Sequence, residues 1–203
     1  MKILLLCNYD PYNAAMVTDH INAFHMYSAH EVVVFSHVVN HGGNLPSDLD
    51  LNLFDAIVLH YSLFLAVDAY VSEKTKLKLR DFKGVKAIFL QDEYRFVQAS
   101  VQLIRELGFN TIFTCVPQDS IEAVYPAEQL PGVKRINVLT GYVPATMINY
   151  QPIPYEKRQF DFSYRGRIYP EWHGRQGLEK WEIAKAFTTL GDQYSLKMNI
   201  SCR

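Results

Sequence analysis

The chain of 203 residues lacks the features that mark secreted, membrane-spanning or nucleic-acid-binding proteins. Its cysteines, Cys7, Cys115 and Cys202, are odd in number and far apart, so neither a disulfide framework nor a zinc knuckle is indicated. The net charge is −1 without a long basic run, which argues against a nucleic-acid binder. No apolar run approaches the roughly 20 residues that cross a bilayer, or the 7–15 of a secretory signal. We therefore expect a cytoplasmic protein without a transmembrane segment.

Glycine is missing from the first polar loop, which runs from Asn8 to Asn13. Dinucleotide-binding dehydrogenases and P-loop hydrolases use glycines in this loop, because they let a phosphate approach the backbone at the start of the next helix. The chain also has no Gly-x-Ser-x-Gly sequence, the elbow that carries the nucleophile of many hydrolases. The sequence therefore gives no support to these three classes of enzyme.

Short apolar segments recur along the first two thirds of the chain, each followed by a polar turn and a helical pattern. The spaces between them are long enough for the crossovers that parallel strands require. This alternation predicts an α/β fold: a doubly wound, Rossmann-like parallel sheet with helices on both faces, which binds ligands at the carboxyl ends of its strands. The predicted strands are Lys2–Cys7, Glu31–Ser36, Asp55–His60, Lys86–Gln91, Thr111–Cys115 and Arg135–Leu139.

Helical spacing predicts the connecting helices. The predicted helices cover about Ala14–Ser28, Leu63–Val71, Glu73–Phe82, the segment from Val97 to Leu107, Gln118–Tyr125 and Gly177–Leu190. In the last of these, we expect the core face to carry Leu178, Trp181, Ala184 and Phe187.

The sequence changes character after Gly141. Residues 142–159 contain three prolines without clear periodicity, which predicts a linker between an amino-terminal domain over 1–141 and a second unit over 160–203. The second unit has a strand at Phe160–Tyr164, a helix and a further strand at Ser195–Ser201. These elements alone bury too little apolar surface for a domain, so we expect the start of a truncated carboxy-terminal domain.

Polar residues follow the predicted strands, where the fold gathers its ligand-binding groups. They are Asn8, His60, Asp92, Glu93, Tyr94, Arg95, Thr114 and Gly141. Asp92 and Glu93 beside Arg95 suit hydrogen bonding to sugar hydroxyls or proton removal, and the alternative is that they charge the start of the next helix. His60 is either a base or a buried histidine with satisfied hydrogen bonds.

No metal site is predicted. His20 and His25 are five residues apart on a helix, so they do not share a face, and the other histidines are scattered. Asp48-Leu49-Asp50 has the Asp-x-Asp pattern that holds a divalent cation in some sugar transferases. Because it lies in a polar loop before a strand, we expect a solvated turn there.

The segment Arg165-Gly166-Arg167 directly follows the predicted seventh strand. Two guanidinium groups on either side of a glycine are able to grip a diphosphate with paired hydrogen bonds. The alternative is that these are ordinary surface arginines at a turn.

Taken together, the strand Lys2–Cys7, the run Phe54–Tyr61, the proline-rich crossing and the segment Phe162–Arg167 resemble the GT-B glycosyltransferases. These enzymes have two Rossmann-like domains that face each other across a cleft. The resemblance implies transfer of a sugar from a nucleotide-diphosphate sugar to a hydroxyl acceptor, such as another sugar. It also implies that no metal or other cofactor is required, since basic side chains and a helix N-terminus neutralise the leaving phosphate.

The resemblance assigns roles to the strand-end residues. Asp92 and His60 are the expected catalytic residues, and Arg165 and Arg167 are expected near the donor diphosphate. The other residues expected to contact the acceptor are Asn8, Glu93, Tyr94 and Arg95.

Two departures from the family pattern limit what the resemblance implies. The first loop lacks the paired glycines of many members, and the later acidic motif that contacts the donor has no room in this chain. We therefore expect this chain to be inactive alone. The competing hypothesis is a non-catalytic α/β binding or regulatory module, and the sequence indicates no oligomeric state.

Overall fold

A computed structural model describes residues 1–10, 15–36, 38–139 and 141–202, with the exception of the side chain of Trp172. The predicted start of the first helix at Ala14, and most of the loop before it, lie outside the described residues. The chain divides into two compact units, Met1–Ile148 and Asn149–Arg203. The boundary falls within the segment where the sequence predicts a linker.

The first unit contains a six-stranded parallel sheet with the strand order β2-β1-β3-β4-β5-β6. Helices flank this sheet, so the predicted Rossmann-like, doubly wound α/β fold is confirmed. The strands are β1 Lys2–Leu6, β2 Glu31–Phe35, β3 Ala56–Leu59, β4 Val85–Phe89, β5 Thr111–Thr114 and β6 Lys134–Asn137.

The central strands are apolar along their whole length because both faces of the sheet are covered. In β1, Leu4 and Leu6 contribute to a large apolar cluster, whereas Ile3 and Leu5 contribute to a second, smaller one. Since successive side chains of a strand point to opposite faces, the two clusters lie on the two faces of the sheet.

The helices are α1 Ala15–Tyr27, α2 Glu73–Asp81, α3 Val97–Glu106, α4 Ile121–Val124 and α5 Arg175–Tyr194. Helix α1 contributes Ile21 to the smaller cluster, and α3 contributes Val101 and Ile104 to the larger one. None of the helices in the described part of the chain has the length and apolar character that a bilayer span requires.

The predicted helix at Leu63–Val71 is wrong. This segment forms successive turns, in which Val67 donates to the carbonyl of Phe64 and Tyr70 donates to that of Val67. Leu63 and Val71 are buried in the larger cluster, together with Leu65. The apolar residues that suggested a helix instead hold an irregular loop against the core.

The second unit contains two parallel strands, β7 Phe162–Gly166 and β8 Met198–Cys202, which α5 connects. Strand β7 begins two residues later than predicted, so Arg165 lies within the strand and only Arg167 follows it.

The predicted core face of α5 is partly wrong. The side chains of Leu178 and Trp181 are 53% and 45% exposed, and the buried positions of this helix are Gly177, Ala184 and Gly191. At Gly191 a β-carbon would lie 1.8 Å from Cε of Met198 in β8. The side chain of Met198 therefore occupies the space that a side chain at position 191 would need.

Candidate functional site

The strand order of the sheet reverses beside β1, since β2 lies on one side of it and β3 on the other. Asn8 comes just after β1, and His60 comes directly after β3. In doubly wound sheets, ligands bind in the crevice at such a switch point, outside the carboxyl ends of the strands. The topology therefore directs attention to the residues around Asn8 and His60.

A chain of hydrogen bonds connects these two strand ends. The backbone N–H of Asn8 donates to Oγ of Ser62, which lies 2.9 Å from Nδ1 of His60. The backbone N–H of Ser62 also donates to this Nδ1, at 3.1 Å. On the other side of the ring, Nε2 of His60 lies 2.9 Å from Nδ1 of His20 in α1. Both ring nitrogens of His60 are therefore occupied.

This network fixes the tautomers of the two rings. Because Nδ1 of His60 accepts a backbone N–H, the proton of the neutral ring must be on Nε2, from which it is donated to His20. Nδ1 of His20 is then an acceptor, so the proton of neutral His20 is on Nε2. The Nε2–H group of His20 is therefore the donor at the outer end of the histidine pair.

Both histidines are uncharged at neutral pH. His60 is completely buried, and burial, with a smaller contribution from the nearby His20, lowers its pKa from 6.5 to about 3. Burial also lowers the pKa of His20. The cause is the cost of placing an imidazolium charge in a poorly solvated environment. The site therefore presents dipoles rather than a positive charge.

Aromatic rings surround the histidine pair. The ring of Tyr61 lies 4.0 Å from that of His60 and is stacked on that of His20, at a centroid distance of 5.5 Å. Phe89 meets His20 edge-on at 5.2 Å. The Tyr61 hydroxyl is buried and makes no hydrogen bond within the described part of the chain. Burial raises its pKa, and the proximity of Cys115 raises it further.

A cavity of about 100 Å³ lies beside this cluster, and we call it the His20 cavity. Its polar lining residues are His20, Tyr61, Gln91 and Cys115. The rest of its described lining consists of Phe89, Leu90, Val138, Leu139 and Gly141. These residues come from α1 and from the segments at the carboxyl ends of β3, β4, β5 and β6.

Glu93, predicted to contact the acceptor, connects the loop after β4 to its neighbours. Its carboxylate accepts hydrogen bonds from the Thr114 hydroxyl at 2.6 Å, from the backbone N–H of Cys115 at 2.7 Å and from the Tyr125 hydroxyl. Burial and this contact raise the pKa of Tyr125. Glu93 therefore holds the loop in place, and its oxygens are already engaged.

The loop between β4 and α3 carries the other predicted acceptor residues. Asp92 and Tyr94 line an open depression of about 370 Å³ together with Cys115 and Val116. Asp92 has a φ of 56°, in the left-handed region that residues other than glycine rarely adopt. Such backbone strain is common in loops that bind ligands or carry catalytic groups.

The alternative hypothesis, that Asp92 and Glu93 charge the start of the next helix, is wrong. The first turn of α3, which begins at Val97, contains no acidic residue, and no side chain caps it. Asp92 and Glu93 both precede that turn, so they do not charge the start of the helix. The side chain of Arg95 lies over the ring of Phe96, with Cζ 5.0 Å from the ring centroid.

The two arginines predicted at the donor side are in the second unit. Both are exposed. Nη1 of Arg165 donates to the backbone carbonyls of Tyr164 and Asn199, at 3.1 and 2.7 Å. Arg165 therefore supports the pairing of β7 with β8, while Arg167 stands at the carboxyl end of β7.

Metal ligands are not grouped in the part of the chain that the structure describes, where no set of three or more His, Cys, Asp or Glu side chains is placed to hold an ion. Asp50 instead accepts the backbone N–H of Asn52 at 2.9 Å and caps a short 3-10 turn. The predicted turn at Asp48-Leu49-Asp50 is consistent with this contact.

Sequence reasoning missed His20, Tyr61 and Ser62. His20 lies on the face of α1 that carries the apolar residues Val17, Ile21 and Phe24. The signal in the sequence is a histidine on the apolar face of a helix, and its spacing from His25 carries no information about a partner on another element.

Comparisons of the chain with protein-family models, with curated proteins and with solved structures found no match. The class of protein therefore follows from the fold alone: an α/β protein built on a doubly wound parallel sheet. Its function has to be inferred from the chemistry of the site.

Proposed function

We propose that this chain is part of a glycosyltransferase of the GT-B type, which transfers a sugar from a nucleotide-diphosphate sugar to a hydroxyl acceptor. The observation that carries the proposal is the succession of two parallel α/β units. A six-stranded sheet over Met1–Ile148 is followed by a second parallel strand-helix-strand unit, β7-α5-β8. A GT-B enzyme requires two such domains, with the acceptor bound mainly by the first.

The chemistry at the switch point suits a hydroxyl acceptor. The neutral pair of His20 and His60 offers hydrogen bonding without charge, which matches the uncharged hydroxyls of a sugar. Asp92 is exposed in the strained loop after β4. Of the two predicted catalytic residues, Asp92 and His60, it is therefore the one that a ligand can reach. In this proposal Asp92 takes the proton of the acceptor, and His60, which is buried, acts by orienting His20.

On the donor side, the proposal gives the larger role to Arg167. Arg165 already donates to two backbone carbonyls, whereas Arg167 is exposed directly after β7. A guanidinium at the end of a parallel strand is suited to a diphosphate, and the leaving phosphate then needs no metal ion. The nucleotide-sugar is a co-substrate in this scheme, and no other cofactor is involved.

We place the protein in the cytoplasm. All three cysteines are free, and free thiols are typical of reducing compartments. The net charge of −1 also remains an argument against nucleic acid as a partner.

A non-catalytic binding module is the second candidate. Two groups that were predicted to contact substrate favour this candidate, because they form hydrogen bonds within the protein instead. They are the carboxylate of Glu93 and the guanidinium of Arg165. In that case the carboxyl edge of the sheet would hold a ligand without transferring a group.

Titration calorimetry with UDP, GDP, ADP and dTDP separates the two candidates. We expect one of these nucleoside diphosphates to bind, and Arg167→Ala to weaken that binding about tenfold or more, the effect of losing a hydrogen bond to a charged group. The matched control is Arg105→Ala, which removes an exposed arginine from α3 in the first unit. If no diphosphate binds, or if Arg165→Ala and Arg167→Ala both keep the wild-type affinity, the donor assignment fails and the binding module takes its place.

A further inference from the structure

We infer that the His20 cavity binds an uncharged ring that carries a hydroxyl group, with the hydroxyl hydrogen-bonded to Tyr61 and His20. The inference does not depend on sugar transfer, because it concerns a binding site that a non-catalytic module would also use. It rests on the charge of the cavity, on its unpaired polar groups and on its aromatic walls.

The charge of the cavity selects an uncharged ligand. Its described lining residues include no aspartate, glutamate, lysine or arginine. Its one histidine, His20, is neutral because burial lowers its pKa. A charged ligand would lose its hydration here without gaining an opposite charge, which is costly. Phosphates and carboxylates are therefore disfavoured.

Two polar groups of the cavity lack partners in the described part of the chain. The Tyr61 hydroxyl is buried without a hydrogen bond, although about nine in ten buried polar groups in proteins have one. The Nε2–H group of His20 likewise donates to no described residue, since the hydrogen bond of this ring is made through Nδ1. A hydroxyl both donates and accepts, so one ligand hydroxyl satisfies Tyr61 and His20 together.

The walls of the cavity favour a ring, and its size limits how much of that ring enters. Phe89, Tyr61 and His20 contribute three ring systems, and Leu90 and Val138 add apolar surface. The volume of about 100 Å³ is smaller than the roughly 150 Å³ of an apolar cavity that holds benzene. The hydroxyl-bearing edge of a ring therefore enters, while the rest stays at the mouth, where Leu139 is 89% exposed.

Tyr61 also borders a second cavity of about 30 Å³, the space of a single water molecule. Of the two cavities that Tyr61 lines, the His20 cavity is the one with room for part of a ligand. A water bound to Tyr61 is nevertheless one outcome that the experiment must detect.

Four probes test the inference. Each is titrated into the whole chain, and its binding is measured by calorimetry and by NMR. Phenol and glucose are uncharged rings with a hydroxyl, benzene lacks the hydroxyl, and benzoate is charged. We expect phenol or glucose to bind at least tenfold more tightly than benzene and benzoate. Phenol binding alone identifies an aromatic ligand, and glucose binding alone identifies a sugar.

The variant Tyr61→Phe removes only the hydroxyl, and Tyr194→Phe, an exposed residue of α5, is the matched control. We expect Tyr61→Phe to weaken binding of the preferred probe about tenfold, the effect of one hydrogen bond, and the control to leave it unchanged. The free energy of unfolding of Tyr61→Phe should be no lower than that of wild type, because the Tyr61 hydroxyl makes no hydrogen bond to any described residue.

A second measurement needs no variant: the preferred probe should shift the Nε2 resonance of His20. The inference is overturned if no probe binds, if benzoate or benzene binds as tightly as phenol and glucose, or if Tyr61→Phe keeps the wild-type affinity. A lower free energy of unfolding in Tyr61→Phe would also overturn it, since this indicates that a bound water already satisfies the hydroxyl. None of these outcomes bears on diphosphate binding by the second unit.

Discussion

At the scale of the residue, burial determines what the histidines do. His60 is completely buried and has both ring nitrogens hydrogen-bonded, whereas His25, five residues after His20 on the same helix, is exposed. The sequence shows that both are histidines but not which one meets a partner across the sheet. The contact between His20 and His60 joins α1 to the end of β3, and such long-range contacts follow from tertiary packing rather than local sequence.

The buried pair predicts a loss of stability in mild acid. The pKa of His60 is about 3 in the folded protein and about 6.5 in the unfolded chain, so the unfolded state binds the proton first as the pH falls. The stability is complete above about pH 6.5 and declines towards pH 3, by about 1.4 kcal/mol for each pH unit. His20 acts in the same direction.

Urea unfolding at pH 7.5 and pH 5.0 measures this effect. We expect wild type to lose about 2 kcal/mol or more of its free energy of unfolding between the two conditions. His60→Gln should reduce the loss, while His25→Gln, at an exposed position, should leave it unchanged. Equal free energies of unfolding for wild type at both pH values would show that the pair is not held neutral.

At the scale of the element, periodicity predicted the strands and most helices because the apolar faces of these elements meet the two cores. The spacing of Val97, Val101 and Ile104 correctly indicated the buried face of α3. It failed at Leu63–Val71, where a loop packs against the core, and in α5, where the buried positions are glycine and alanine. Hydrophobicity alone does not distinguish these cases.

The contact between Gly43 and the start of α2 is a close backbone approach. Gly43 has a φ of +81°, and a β-carbon on it would lie 2.3 Å from the carbonyl oxygen of Asp68 and 2.7 Å from the backbone nitrogen of Ser72. Its own carbonyl accepts hydrogen bonds from the backbone of Ser72 and the hydroxyl of Thr75. The turn and the helix therefore pack backbone against backbone.

We predict that Gly43→Ala destabilises the protein much more than Gly132→Ala. Gly132 has a similar φ of +76°, but a β-carbon there would meet nothing within 4 Å. Gly132→Ala should cost about 1–2 kcal/mol, the penalty for a left-handed alanine, and Gly43→Ala at least twice as much. Thermal unfolding of both variants measures the difference, and equal losses of stability would contradict the packing of Gly43 against α2.

At the scale of the whole molecule, the chain combines a complete parallel sheet with a smaller parallel unit. The sequence predicted this order, and the boundary between the two units falls within the proline-rich segment. It did not predict that Glu93 and Arg165 would be engaged in contacts within their own units. Those contacts depend on strand register and loop conformation, which composition and spacing do not determine.

The most direct test of the proposed function is an amide NMR titration of the whole chain with UDP, GDP, ADP and dTDP in turn. The proposal places the donor diphosphate beside Arg167, at the carboxyl end of β7. It therefore predicts that one of the four shifts resonances around Arg167 and the start of α5, and leaves those of His20 and Tyr61 unchanged. If none of the four shifts the resonances of the second unit, or if the shifts occur only around the His20 cavity, the proposal is contradicted.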